Sequence, residues 1–271
     1  MKEQPLKLLI LGAHPDDAEF RAGGIAAIYR ALGHTVKMVS VTDGGSGHHA
    51  MKRPELIARR KNEAAKAAAI IGAQHEVWEF PDGFLQPTLE VRERIIREIR
   101  TFAPDLVLTH RPDDYHPDHR AVGHAVRDAS YLVTVPLVVP EVPILRRDPV
   151  VAYLYDHFTK PYPFQVDAVV DVTPHIDKIL AMLGAHASQF FEWLPFNRRE
   201  MDAVPDDPAV RAKIVSDFYH ERAHHLAQKY QEQVVAKYGA EAAKKIEWVE
   251  VFEISEYASA LSPAMRERLF P

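Results

Sequence analysis

Residues Leu8–Gly24 read LLILGAHPDDAEFRAGG, an apolar run that stops at a histidine and two adjacent aspartates. The run Leu6–Leu11 has the length and composition of a buried strand, and a helical pattern follows over Glu19–Leu32 and ends at Gly33. A strand followed directly by a helix is the opening unit of an α/β fold. The ionisable groups at the junction indicate either a surface turn or a chemical site.

The alternation of strands and helices continues along the chain. Further strands are predicted at Thr35–Val41, Glu76–Phe80, Leu106–Thr109, Val151–Tyr155, Ala168–Val172 and in EWVEVFEI, and helices over Pro54–Ile71 and Leu89–Phe102. The early strands are apolar almost throughout, which is typical of a parallel sheet covered on both faces. We therefore predict an α/β fold, a Rossmann-like, mostly parallel sheet with helices on both faces.

One domain over residues 1–271 is expected, with a helical C-terminal part. The clearest irregularity is Val133–Pro149, which holds four prolines. A segment of this kind is better placed over a site, as a wall or lid, than at a domain boundary.

Composition limits the classes of partner. The 33 basic and 38 acidic residues give a net charge of -5, which offers no electrostatic footprint for nucleic acid or an anionic membrane. The chain has no cysteine, so disulfides and thiolate metal sites are excluded, and no apolar run has the length of a membrane span. MKEQPLK leads directly into a strand-like run without a signal h-region, which favours a cytoplasmic location. We expect a small-molecule substrate, and homo-oligomerisation stays open.

Two polar clusters follow strands that are far apart in the chain. AHPDD follows the first strand, and HPDH, residues 116–119, follows the fourth. In open α/β sheets ligands bind beyond the carboxyl ends of the strands, so the two clusters can meet there. A single such triplet is usually a surface turn with an aspartate helix cap, but two at strand ends favour a metal site.

The spacing within the clusters suits a metal with hydrolytic chemistry. His14 and Asp17 flank one turn, and His116 and His119 share one face of a helix that begins at Pro117. A His/Asp/His set with an open fourth position is typical of catalytic zinc. Asp16 and one histidine are then left for proton transfer, as metal-assisted hydrolysis requires.

Several segments together resemble the PIG-L/LmbE family of zinc-dependent N-deacetylases. These segments are AHPDDAE followed by GG, then TDGG, RKNEAAKAAAIIG, FPDG, HPDHRAVG and HASQ, over roughly residues 6 to 190. The two metal motifs together are specific, whereas the glycine segments are weak. This chain has Ala18 between the aspartate pair and Glu19, where the family often has glutamate directly.

The resemblance implies one zinc ion per chain, bound by His14, Asp17 and His119. Iron(II) or cobalt would satisfy the same donors, because N/O ligands discriminate poorly among these ions. The resemblance also implies that Asp16 is the general base and that His116 stabilises the oxyanion and acts as the acid. Asp118 would adjust the orientation and basicity of His116.

Substrate residues are implied by the same resemblance. Arg60 and Asp82 would hold sugar hydroxyls, although Arg60 could instead form a helical ion pair with Glu63, and Asp82 could be a turn residue. His48 and His49 either reach the substrate or are solvent-exposed, and the second interpretation is favoured. The HASQ segment with His186 is expected to pack beneath the site.

The expected function is removal of an acetyl group from an N-acetylated amino sugar or glycoside, of the N-acetylglucosamine type, by a metal-dependent hydrolase. One alternative is an amidase acting on a non-sugar amide. Another is a non-catalytic, metal-dependent sugar-binding protein. Asp16 and His116 argue against the binding protein, because metal binding alone requires neither of them.

Overall fold

The computed structural model describes residues 4–200 and 204–271, so the first three residues of MKEQPLK lie outside the described residues. The strands are β1 Lys7–Gly12, β2 Thr35–Thr42, β3 Gln74–Phe80, β4 Leu106–Thr109, β5 Val150–Leu154, β6 Ala168–Asp171 and β7 Val249–Ile254. They form one sheet in the order β3-β2-β1-β4-β5-β7-β6, in which β7 runs antiparallel to both of its neighbours. The predicted α/β class with a mostly parallel sheet is confirmed.

Helices connect most of the strands. They are α1 Asp17–Ala31, α2 Arg53–Ile71, α3 Leu89–Phe102, α4 Pro117–Ala129, α5 Ile176–Ala185, α6 Leu194–Asn197, α7 Pro208–Ala223, α8 His225–Lys229, α9 Gln231–Tyr238, α10 Ala240–Ala243 and α11 Pro263–Leu269. A π-helical turn, Gln189–Trp193, precedes α6. In the part of the chain that the structure describes, every helix is too short or too polar to cross a lipid bilayer.

The central strand β1 shows why the sheet is covered on both faces. Its alternate side chains Leu8 and Ile10 belong to an apolar cluster with α1, α2, α5 and α7. Leu9 and Leu11 belong to a second cluster with α3 and α4. All four leucine and isoleucine side chains have no exposed surface, which is why the strand is apolar at every position.

Strand order brings the two polar clusters together. β1 pairs in parallel with β2 on one side and with β4 on the other, with Leu11 opposite Thr109. The connections after β1 and β4 therefore leave the same edge of the sheet. The strand order changes direction between these two strands, because β2 and β3 lie on one side of β1 and the later strands lie on the other. Such a switch point is where open α/β sheets bind ligands.

The Pro-rich segment does not cover this edge, so the expectation of a wall or lid over the site is wrong. It packs on α3 and α4, where it contacts the buried side chain of Arg100. Arg100 donates to six backbone carbonyls, those of Leu132, Val133, Val135, Val138, Val139 and Val142. One side chain thus satisfies carbonyls that an irregular, proline-rich backbone cannot pair by itself.

Helix α1 is kinked near its middle, and a glutamate far along the chain accepts hydrogen bonds from backbone N–H groups just after the kink. Ala22 has non-helical dihedrals, φ -145° and ψ 18°. Glu250 of β7 accepts hydrogen bonds from the N–H groups of Gly24 and Ile25, at 2.7 and 2.8 Å. A Cβ at Gly24 would lie 2.3 Å from Cγ1 of Val172, so only glycine permits this approach.

Glu250 is expected to make the free energy of unfolding fall as the pH rises toward neutrality. Burial raises the pKa of its carboxyl to about 7, although the N–H groups of Ile25 and Gly24 oppose this. Between the ordinary glutamate pKa and pH 7 the folded chain therefore binds more protons than the unfolded chain. Across this window the native chain should lose on the order of 3 kcal/mol relative to Glu250→Gln, which does not titrate.

Urea unfolding from about pH 4.5 to about pH 8 measures the effect. Glu247→Gln changes an exposed glutamate of the same segment and should leave the pH dependence of the native chain intact. A stability difference between the native chain and Glu250→Gln that stays constant with pH would contradict the prediction.

Candidate active site

Asp17 lies at the centre of the candidate site, as the first residue of α1. Its Oδ2 accepts hydrogen bonds from the N–H groups of Ala13 and His14, at 3.0 and 2.7 Å. These contacts turn Oδ1 toward Nε2 of His119, 3.4 Å away. Burial disfavours the carboxylate, but His119 and His110 hold the pKa of Asp17 well below its usual range. A fixed carboxylate anion therefore faces the histidines.

Both predicted histidine ligands turn one ring nitrogen toward Asp17 and the other toward a second carboxylate. Nδ1 of His14 lies 3.4 Å from Oδ2 of Asp17, while its Nε2 lies 3.2 Å from Oδ2 of Asp118. His119 faces Asp17 through Nε2, and its Nδ1 lies 3.0 Å from Oδ1 of Asp114. A metal-bound histidine has this arrangement, because the outer carboxylate takes the N–H and leaves the other nitrogen as a donor.

The donor groups thus fit a divalent metal ion. Among the described residues, three overlapping groups have their donor atoms within 4.8 Å of one another; each contains at least one of the three predicted ligands, and none contains all three. These groups are His14 with His116 and His119, Asp17 with His110 and His119, and His14 with Asp82 and Asp118. His110, directly after β4, stacks on His119 with ring centroids 3.9 Å apart. Sequence analysis missed it, although its place at a strand end was a usable signal.

Asp16 projects into the same pocket from a strained backbone. Its φ is 134°, a value that non-glycine residues rarely adopt and that recurs at functional sites. Its Oδ2 lies 3.2 Å from Nη2 of Arg60, which also donates to the carbonyl of Pro15. Burial raises the pKa of Asp16 to about 6, an effect that Arg60 opposes and Asp17 reinforces. The carboxyl can therefore exchange a proton near neutral pH.

His116 adjoins the predicted ligands on the other side. Its ring centroid lies 4.5 Å from that of His14 and 5.0 Å from that of His119. Nδ1 accepts a hydrogen bond from the backbone N–H of Asp118, so the neutral ring carries its proton on Nε2. Burial, together with the repulsion of His14 and His119, lowers the pKa of His116.

Among the described residues the Asp118 carboxylate makes no hydrogen bond to His116, but the backbone N–H of Asp118 does, and the charge of Asp118 opposes the lowering of the pKa of His116. It accepts hydrogen bonds from the N–H groups of Gly83 and Leu85, at 2.7 and 3.1 Å, and approaches His14. The helix that begins at Pro117 directs this side chain inward, away from its neighbour His116. The contact that sequence spacing suggested is thus replaced by one with the first motif.

Arg60 and Asp82 both lie in the pocket wall, and both are buried. Arg60 donates to the carbonyl of Gly44, whose φ is 66° and whose Cβ, if present, would lie 2.9 Å from Pro15 Cδ. Asp82 lies 3.3 Å from Nε2 of His14 and accepts from the N–H of Ser46. Arg60 has no ion pair with Glu63, which instead binds Ser188 and Arg59.

Two further segments reach this region, the loop TDGGSGHH, residues 42–49, and the HASQ segment. The His48 ring is buried, with 2% of its side chain exposed, and bonds to Glu192 at 2.9 Å, so its predicted solvent exposure is wrong. His49 is exposed and stacks on Phe196. His186 packs without exposed surface beside Glu19 beneath the pocket, whereas Gln189 of the same segment lines it.

The site opens into a cavity of about 650 Å³. Among the described residues, its inner wall carries the three predicted ligands together with Asp16 and His116, but not Asp118, and its outer wall comes from the π-helical turn, α6, α7 and α8. The volume lies in the range of small-molecule sites and accommodates more than one sugar ring. Carboxylates gather at its floor, where a cation is expected.

Comparison with known proteins identifies a family, and relatives that match most of the chain. The family model described as PIG-L, GlcNAc-PI de-N-acetylase, matches residues 9–130. The chain is 31% identical over 209 residues to diacetylchitobiose deacetylase of Thermococcus kodakarensis, covering 71% of this chain and 75% of that protein. It is 27% identical over 198 residues to 4-oxalmesaconate hydratase of Pseudomonas putida, covering 70% and 76%.

A solved structure shows the same fold. It is N,N'-diacetylchitobiose deacetylase from Pyrococcus horikoshii, with a TM-score of 0.71, 23% identity, and coverage of 93% of this chain and 84% of that one. Residues 9–130, which the family model matches, contain both polar clusters, AHPDD and HPDH. The sheet brings these two clusters to one edge. This chain belongs to the PIG-L family.

Proposed function

We propose that this protein is a metal-dependent N-deacetylase that removes the acetyl group of an N-acetylated amino sugar of the N-acetylglucosamine type. The observation that carries the proposal is the Asp16 carboxyl, held on a strained backbone next to the His14, Asp17 and His119 donor set. Named relatives with this activity and the PIG-L match support the substrate class.

The metal proposed for the donor set is zinc, with iron(II) or cobalt as substitutes. When bound, such an ion supplies a Lewis acid that polarises the amide carbonyl and makes water easier to deprotonate. Asp16 accepts a proton from the attacking water while the water oxygen forms a bond to the carbonyl carbon. Burial has already raised the pKa of this carboxyl to about 6, so it can hold the proton.

His116 stabilises the negative charge that develops on the carbonyl oxygen. Its Nε2–H is available, because Nδ1 accepts from the Asp118 backbone. The neutral ring donates this hydrogen bond through its Nε2–H. As the C–N bond breaks, the leaving nitrogen takes a proton either from a protonated His116, the acid that the resemblance implied, or from Asp16, which returns the proton it accepted, and acetate and the free amine form.

Arg60 and Asp82 are proposed to hold the sugar hydroxyls, as the family resemblance implied. We propose a second task for Arg60, because its guanidinium bonds both to the Pro15 carbonyl and to Asp16. It therefore orients the proposed base as well as facing the pocket.

Acetate release tests the proposed function directly. The zinc-loaded chain should release acetate and one equivalent of amine from N-acetylglucosamine, diacetylchitobiose or methyl N-acetylglucosaminide, and much less from N-acetylethanolamine. Comparable release from N-acetylethanolamine would favour the non-sugar amidase. Tight binding of the sugars without release would favour the non-catalytic sugar-binding protein.

A second candidate is hydration of an unsaturated carboxylic acid, which the 27% identity to 4-oxalmesaconate hydratase favours. The same base and donor set would add water to a carbon–carbon double bond instead of an amide. Loss of the ultraviolet absorbance of an unsaturated tricarboxylate, with no acetate released from any sugar, would select this function.

A further inference from the structure

An arginine without a carboxylate partner lines the cavity beyond the proposed metal ligands. Arg21 lies one helical turn after Asp17, so the two side chains share a face of α1 with about 5–6 Å between their Cβ atoms. Its guanidinium packs over the ring of Phe20 at 4.7 Å, and in the described chain no carboxylate pairs with it. An unpaired cation in a half-buried cavity wall is costly unless something else neutralises it.

A second arginine faces the same space from α7. Arg222 packs over the Phe218 ring at 3.9 Å and bonds to Oε2 of Glu221 at 2.8 Å. Glu221 is shared with Arg198, which lies 3.6 Å away and also approaches Glu200. Burial lowers the pKa of Arg222, and the charges of Arg198 and Arg21 add to this effect.

The cavity is therefore polarised along its length. Its floor carries the carboxylates of Asp16, Asp17 and Asp82, only partly offset by the guanidinium of Arg60, whereas Arg21 and Arg222 give the outer part an excess of positive charge over the exposed Glu221. The exposed side chain of His225 also lines this outer part and adds no negative charge. A divalent cation suits the floor, and an anion suits the outer part.

We propose that Arg21 and Arg222 bind an anionic group, a carboxylate or a phosphate, that the substrate carries beyond its N-acetylated position. The inference rests on the proposed function and narrows its substrate class to acidic amino-sugar derivatives. One helical turn between Asp17 and Arg21 matches the width of a pyranose ring, so the anion is attached to the sugar ring or to its first substituent. Guanidinium groups recognise both kinds of anion through paired N–H donors.

The test compares acetate release from methyl N-acetylglucosaminide, which is neutral, with release from carboxymethyl N-acetylglucosaminide and from N-acetylglucosamine 1-phosphate. The zinc-loaded native chain should have a kcat/KM at least about tenfold higher on one anionic compound than on the neutral one. The carboxymethyl and phosphate arms identify the preferred anion. Arg21→Gln and Arg222→Gln should each remove most of this ratio, whereas Arg21→Lys, which keeps the charge, should retain part of it.

Arg211→Gln is the matched control, because Arg211 is another half-buried α7 arginine packed over an aromatic ring but lies outside the cavity. It should leave the anionic-to-neutral ratio unchanged. Equal kcat/KM for neutral and anionic compounds in the native chain would overturn the inference, as would a ratio that survives in the Arg21→Gln, Arg222→Gln double variant.

Failure of the proposed function is distinguishable from failure of the inference. If no compound releases acetate, calorimetric binding of glucosamine 1-phosphate, carboxymethyl glucosaminide and methyl glucosaminide replaces turnover. Tighter binding of either anionic amine that is lost in Arg21→Gln would support the anion site while rejecting the deacetylase. Equal binding of all three would reject the anion site.

Discussion

A chain in which His14 and His119 are both alanine is expected to retain less than about a tenth of the zinc that the native chain holds, which should be about one ion per chain. Each histidine turns one nitrogen toward Asp17 and has its other nitrogen fixed by a carboxylate. Removing both leaves only Asp17 of the three predicted ligands, with His110 beside it, and we expect this remainder not to hold the ion through dialysis. Metal analysis of the dialysed proteins measures the loss.

His124→Ala is the control, because His124 lies on α4 like His119 but bonds only to Arg127 on the helix surface. It should keep full zinc content. Thermal unfolding adds a second readout, since zinc should raise the Tm of the native chain and of His124→Ala but not that of the double variant. Full zinc occupancy in the double variant would refute the donor set.

Asp16→Asn is expected to keep zinc and substrate binding while kcat falls by about 10²- to 10⁴-fold. The amide keeps the size of the side chain and its contact with Arg60, but it cannot accept the proton of the attacking water. Steady-state acetate release, with zinc content measured on the same samples, separates the two effects. Loss of zinc in this variant would make Asp16 a ligand instead of a base.

Asp113→Asn provides the matched control for this substitution. Asp113 is a half-buried aspartate of the loop before His116, and it lines a neighbouring surface cavity instead of the site. Its kcat should stay within about twofold of the native value. If kcat fell as far in Asp113→Asn as in Asp16→Asn, the activity would depend on any charge removed near the loop and not on Asp16 specifically.

The sequence was sufficient for the sheet and for the meeting of its two polar clusters. Apolar runs at regular intervals predicted parallel strands, and the carboxyl ends of β1 and β4 then had to share one edge. His14, Asp17 and His119 gather there because this geometry depends on strand order alone, not on side-chain detail. Their role as metal ligands stays a prediction.

What the sequence did not predict depends on side-chain direction or on long-range partners. Asp118 lies two residues after His116 but reaches His14, because the helix turns it inward. Glu250 completes a helix 225 residues earlier in the chain, which no local pattern can reveal. The Pro-rich segment is held by Arg100 of α3, so its position depends on a residue outside the segment itself.

The pairing of β1 with β4 also determines when a metal ion held by the predicted ligands would contribute during folding. His14 and Asp17 follow β1, and His119 follows β4, so a nascent chain that has folded only its first strands has an incomplete coordination sphere. An ion bound by the predicted ligands would therefore not act as a nucleus for the early β–α units, because it would bind only after the long-range strand pairing has formed. We expect such an ion to slow unfolding of the completed sheet, because separating the two strands would require the ion to leave.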